Sequence, residues 1–175
     1  MTRLILCLAV MALVFATPSF AGADVYGTVG LYTEYGGGAH DSHAIVGGGA
    51  SGIFAGGKAA VFGEFNYIPL GSALGVSLKQ IDAGGGVRIY VGPKSDKFRL
   101  FVPVVAGLAR LSAGMSGVSV GSNGGYFGSG FGAEIGSKKF GVRPEFRFER
   151  EQWGSGGGGN NVTTFGASFY YRLGQ

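Results

Sequence analysis

"VRPEFRFER", residues 142–150, sets Arg143, Glu145, Arg147 and Glu149 on one parity and Val142, Pro144, Phe146 and Phe148 on the other. Successive side chains of a strand point to opposite faces, so this stretch is a ribbon with one charged and one aromatic face. The same separation recurs along the chain. Turn-like clusters divide it into eight segments, 24–35, 43–55, 59–69, 80–91, 98–111, 124–136, 140–151 and 162–173. None repeats at 3.6 residues, and evenly spaced strands of this kind build a meander, a sandwich or a barrel.

In the first segment Val25, Val29, Leu31 and Tyr35 oppose Asp24, Thr28, Tyr32 and Glu34; in the third, Val61, Phe65 and Tyr67 oppose Glu64 and Asn66. The fourth sets Ile81, Ala83, Val87, Ile89 and Val91 against Asp82, Arg88 and Tyr90. In the sixth, Phe127, Phe131, Ala133 and Ile135 oppose Tyr126, glycines and Glu134. The eighth sets Thr163, Phe165, Ala167, Phe169, Tyr171 and Leu173 against Thr164, Gly166, Ser168, Tyr170 and Arg172. Segments two and five are less regular. Arg99 and Arg110 differ in parity, so segment five needs a bulge or an end effect.

Alternation alone also fits a soluble sandwich. Here, however, the polar face is poor in lysine and rich in glycine with mixed Arg and Glu. The lysines sit in turns instead: Lys58, Lys94, Lys97, Lys138 and Lys139. A soluble surface would carry lysine along its strands. The links near 55–58, 92–97 and 136–139 are short, whereas those near 36–42, 70–79, 112–123 and 152–161 are longer and rich in Gly and Ser. An even number of strands, with short turns at one end and long loops at the other, is the pattern of an outer-membrane barrel. Its strands of 10–13 residues are long enough to cross a bilayer at a tilt. Turning segment seven over would place Arg143 and Arg147 in lipid, at roughly 2–4 kcal/mol each near the midplane. The charges therefore face inward. Outward Phe and Tyr, with Trp153 at the extracellular edge, fit interfacial girdles.

Residues 1–21 read as a secretory leader: basic Arg3, an apolar run over 4–16, then the small residues of "TPSFAGA". Cleavage is expected after Ala21, with Ala23 the alternative, leaving 22–175 as one barrel domain. The only cysteine, Cys7, leaves with the leader, so the mature chain has neither disulfide nor thiol chemistry. The remaining charge is mildly basic and scattered, which argues against nucleic acid as a partner. Glycine makes up 37 of 175 residues, without a G-X-Y period, which excludes collagen. A hydrophobic fraction of 46% excludes disorder.

Three constellations invite a functional reading. "GGGASGIFAGGKAAVF", residues 47–62, matches G-x-G-x-x-G at Gly47, Gly49 and Gly52, and G-x-x-x-x-G-K at Gly52, Gly57 and Lys58. Neither motif is followed by a helix, and Ala59 cannot ligate magnesium, so the stretch is expected to be a hairpin and no cofactor is expected. His40, Asp41, Ser42 and His43 lie in the first long link and could hold a metal or form part of a hydrolytic site. No second cluster completes either, and no metal or catalytic residue is assigned. The best-founded set is the lumenal charges Glu64, Glu134, Glu145 and Glu149, facing Arg88, Arg143, Arg147 and Arg172. In a narrow barrel side chains fill the interior, and charges there must pair. They form either a salt-bridged plug or a selective solute path.

The leader, the eight segments and the stretches "VFGEFNYIP" (61–69), "VRPEFRFER" (142–150) and "FGASFYYRL" (165–173) resemble the small OmpA/OmpX-type outer-membrane β-barrel domain. Such chains commonly end on an aromatic residue, so the insertion signal here is expected to be "SFYYRL", displaced by two residues. The resemblance implies an all-β, eight-stranded up-and-down barrel in the bacterial outer membrane with periplasmic termini. It implies a non-enzymatic role in membrane structure or surface interaction through four loops. The partners implied are outer-membrane lipid and lipopolysaccharide, the assembly machinery during insertion, and an extracellular loop partner. The rival readings are a narrow passive pore, a soluble lipocalin-like ligand-binding barrel and a lipid-modifying barrel enzyme.

Overall fold

The computed structural model describes residues 20–36, 39–54, 56–73, 75–92, 97–115, 118–154 and 158–173. The expected leader lies almost wholly outside them. Eight strands run β1 (Phe20–Gly36), β2 (Ala39–Phe54), β3 (Ala59–Ala73), β4 (Val76–Val91), β5 (Phe98–Met115), β6 (Val118–Gly136), β7 (Phe140–Trp153) and β8 (Gly158–Leu173). Each pairs antiparallel with the next. β8 returns to β1, from Ala23 opposite Leu173 to Tyr35 opposite Asn161, and closes the barrel.

The period of two decides what faces where. Val29, Leu31, Phe65, Phe127, Phe131, Phe148, Phe165 and Phe169 stand half-exposed or more on the outside. Asp24, Arg88, Arg143 and Glu134 are buried inside. A protein folded against water does the reverse; an apolar exterior around a polar interior suits a lipid solvent.

Glycine makes the narrow interior close. A Cβ on Gly107 would stand 2.6 Å from the Tyr126 ring, and one on Gly49 2.6 Å from the Tyr26 hydroxyl. Gly49 thus serves lumenal packing. Gly56 and Gly57 form the β2–β3 turn with φ of +88° and +69°, a backbone that other residues rarely adopt. Strand β3 follows directly, so residues 47–62 are one hairpin, and the helix a phosphate loop would need is replaced by a strand.

Several expectations are corrected. The strands are 14 to 19 residues long, not 10–13. Most of the expected long loops are paired strand: the β5–β6 ladder continues to Met115 opposite Val118, and β1–β2 to Gly36 opposite Ala39. A ladder satisfies the backbone whether or not lipid surrounds it, so it runs on past the apolar belt. Of the two alternatives for segment five the end effect holds and the bulge does not, because the pairs from Phe98–Ile135 to Met115–Val118 keep one register without a shift. Arg99 points inward, and Arg110, on the outward parity, is exposed near the far end of β5. Trp153 shares the parity of Arg143 and Glu151 and packs inward on the Phe62, Val105, Ala109 and Tyr126 cluster. It is not part of an outer girdle.

The end of the barrel away from the termini divides into two sheets. The β2–β3 ladder stops at Val46–Tyr67 and the β6–β7 ladder at Gly124–Trp153. Beyond those pairs, β3 to β6 form one protruding sheet, and β7, β8, β1 and β2 the other.

Candidate functional site

The lumen is filled in tiers. Nearest the termini, five strands contribute one charge each. Arg143 donates to both carboxylate oxygens of Asp24 and, through Nε at 2.9 Å, to Glu134. Arg99 and Arg172 each donate to Glu134 at 2.8 Å. Tyr90 adds a hydroxyl donor at 3.1 Å, and Ser51 donates to Asp24 at 2.6 Å. Aromatic faces carry the guanidiniums: Arg99 lies 3.8 Å over Tyr90, and Arg143 4.2 Å over Tyr170.

A second tier centres on Arg147. It donates to both oxygens of Glu64 and to Glu145, with Glu149 at 3.7 Å. Thr164 donates to Glu149 at 3.2 Å. Arg88 is fully buried beside this tier. It stands 3.8 Å from Glu145 and 4.1 Å over the Phe62 ring, and none of its nitrogens has a hydrogen-bond acceptor.

Farther from the termini the lumen is acidic and then apolar. Gln80 bridges Asp82 at 3.0 Å and Glu151 at 2.8 Å. Tyr32, Ile45, Ile68 and Val162, with Leu70 against them, close the barrel as an apolar cap. Between cap and charges lies a cavity of about 30 Å³, lined by Glu64, Asn66, Asp82, Tyr126 and Glu149 among others. That is room for about one or two waters.

All eight lumenal charges read from the sequence therefore face inward and pair, in two tiers. The sequence reading left out Asp24, Arg99, Asp82 and Glu151. Asp24 and Asp82 had already been placed on the polar face by alternation. Arg99 was obscured by the apparent conflict with Arg110.

The histidine cluster lies on β2, not in a loop, and the period of two takes it apart. His43 points inward with Nε2 3.9 Å from Asp41, whose side chain is 85% exposed. His40 has the opposite parity and lies beside Tyr35, ring centres 6.5 Å apart. The two imidazoles cannot converge on one ion. Among the described residues, no group of three or more His, Cys, Asp or Glu is placed to hold a metal.

Comparison with solved structures follows this geometry. Neisserial surface protein A superposes with a TM-score of 0.75 at 10% identity, over 86% of this chain and 97% of that one. The chain has the fold of the small outer-membrane β-barrels. Ail, the attachment invasion locus protein of Yersinia pestis, matches at a TM-score of 0.56 and 14% identity, over 87% and 97% of the two chains. A major outer membrane protein from Thermus thermophilus matches at 0.52 and 11%, over 87% and 98%. No family model and no curated protein matches the sequence. At these identities the barrel is what is shared. Its outward Phe, Val and Leu belt and inward charge tiers are built from this chain's own residues.

Proposed function

We propose that this chain is an integral protein of the bacterial outer membrane, exported through a cleaved leader (1–21), with its termini and short turns in the periplasm. Its role is non-enzymatic: it anchors a structured surface crown in the membrane for interaction outside the cell. The observation that carries this reading is the inverted barrel whose centre is filled. An apolar exterior fits lipid, while the paired charges and the Tyr32–Ile45–Ile68–Val162 cap favour a plug over a solute path. What such a barrel presents is its outer end, where two sheets rise beyond the belt. Ail, of like fold, is an attachment invasion locus protein by name, which is compatible with a surface role.

Its partners on this reading are outer-membrane lipid and lipopolysaccharide around the belt, the assembly machinery during insertion, and a macromolecule met at the crown. Fractionation tests the reading. The mature chain is expected with outer membranes, running faster on a gel before heating than after, because a barrel resists detergent until boiled. Recovery as a soluble periplasmic protein would sink it and favour a ligand-binding barrel.

A further inference from the structure

The carboxylates of the closed lumen outnumber its guanidiniums. Arg88, Arg99, Arg143, Arg147 and Arg172 face Asp24, Glu64, Asp82, Glu134, Glu145, Glu149 and Glu151, all buried or nearly so, which is an excess of two negative charges. The excess is not spread along the axis. The tier nearest the termini sets three guanidiniums against two carboxylates. The surplus therefore lies farther in, where Arg88 and Arg147 meet Glu64, Asp82, Glu145, Glu149 and Glu151. Buried charge without a partner is costly, so the folded lumen must take up positive charge from outside the chain.

The cavity of about 30 Å³ lies in that stretch, and four strands put oxygen on its wall. Gln80 donates to Oδ1 of Asp82 on β4 at 3.0 Å, and Thr164 to Oε2 of Glu149 on β7 at 3.2 Å. The second oxygen of each carboxylate lies outside those bonds. Asn66 on β3 turns its amide nitrogen to Glu64 at 3.4 Å, which leaves its amide oxygen as a ligand. Tyr126 on β6 is 6% exposed and lines the same cavity, and its hydroxyl has no hydrogen-bond partner. Two protons would cancel the charge but leave the cavity and this hydroxyl unfilled. One divalent cation with a water meets all three conditions, since the space is that of about one or two waters. The ligating atoms are oxygens, which suit a hard cation. Magnesium demands near-octahedral geometry and keeps several waters, for which there is no room, whereas calcium accepts irregular sets of oxygen ligands.

We propose that this cavity is the site of one resident calcium-sized divalent cation, held by carboxylate oxygens of Asp82 and Glu149, the Asn66 amide oxygen and the Tyr126 phenol oxygen, with one water. Among the described residues no group of three His, Cys, Asp or Glu converges to hold a metal, so neutral oxygens complete the shell. The ion ties β3, β4, β6 and β7 together across the lumen and brings its charges to balance. The apolar cap lies on one side and the charged tiers on the other, so the ion enters as the barrel closes rather than through the folded lumen. The plug is then a calcium-dependent structure, whichever surface partner the crown meets.

The test uses the full mature chain, stripped with EGTA in urea and refolded into phosphatidylcholine nanodiscs with calcium, magnesium or EGTA. The expected result is one calcium per folded chain after dialysis, read by atomic emission, and a urea midpoint higher in calcium than in magnesium or EGTA. Terbium, a luminescent ion of calcium size, is expected to emit when Tyr126 and Trp153, which pack together, are excited. Asp82→Asn combined with Glu149→Gln is expected to weaken terbium binding at least tenfold and to abolish the calcium-dependent midpoint shift. Asp41→Asn, at the exposed crown, is expected to change neither. Gel mobility before heating shows whether each variant is a folded barrel; if the double variant does not fold, the calcium content and midpoint of the parent decide. A parent that folds without bound calcium, with one midpoint in calcium and EGTA alike, would overturn the site. So would terbium emission that survives both substitutions. Uptake of two protons per chain on refolding in EGTA, with no further effect of calcium, would overturn it too and assign the balance to protonated carboxylates.

Discussion

Arg147 and Arg88 are neighbours in the lumen with opposite energetic roles. Arg147 satisfies Glu64 and Glu145 by direct hydrogen bonds and has Glu149 within 3.7 Å. Arg88 makes no hydrogen bond and rests on the rings of Phe62 and Tyr26. Removing one partner of a buried charge set leaves the others uncompensated, whereas an apolar replacement for a poorly paired ion is close to neutral. Arg147→Met is therefore expected to cost about 3–5 kcal/mol, and Arg88→Met to lie within about 1 kcal/mol of the parent. Urea unfolding in bilayers reads both, because Trp153, the single tryptophan, packs inside the barrel and reports its opening. Equal losses for the two variants would show the pairing to be misassigned. Single residues also mark the limit of the sequence. Parity told that Asp24 and Arg143 both face in, but not that they meet, because contact across β7, β8 and β1 depends on the stagger with which the barrel closes.

At the scale of the strand, what was legible followed what lipid enforces. Within the belt every second side chain must be apolar, and the alternation in 142–150 or 163–173 is correspondingly clean. Past the belt that demand ends. Residues 112–123 turn to Gly, Ser and Val, lose their period, and read as loop, although residues 112–115 and 118–123 remain paired in the β5–β6 ladder. The same effect hid the strand around His40 and Asp41, and it made Arg110 look like a break in register. Composition reports the solvent around a strand, not the strand itself. The outward face of β6 provides the corresponding test. Phe131 is 63% exposed, with the Phe146 ring 5.5 Å away on the same face. Phe131→Arg is expected to cost about 2–4 kcal/mol in bilayers, as a charge placed near the midplane does, and Phe131→Leu far less. A neutral Phe131→Arg would mean that this face does not lie in lipid.

At the scale of the whole barrel, charge is sorted along the axis. The tier nearest the termini sets three guanidiniums, Arg99, Arg143 and Arg172, against two carboxylates, Asp24 and Glu134. The next sets Arg88 and Arg147 against Glu64, Glu145 and Glu149. Beyond it Asp82 and Glu151 share the Gln80 amide, and the apolar cap follows. The lumen thus runs from positive to negative and ends in a seal, with a cavity of only about 30 Å³ beneath it. No hydrated ion passes such a column without displacing side chains, so the folded parent in planar bilayers is expected to give no stepwise conductance. Opening the cap with Tyr32→Ala and Ile68→Ala together removes apolar bulk but leaves the acidic tier lining the entrance. Any leak this creates is expected to favour cations, since carboxylates facing a low-dielectric lumen attract counter-ions of opposite sign. Steady ohmic steps from the parent would overturn the plug. An anion-selective leak in the double variant would leave the plug standing but overturn the order of charges along the axis, because the acidic tier would then not be the one that an entering ion meets first.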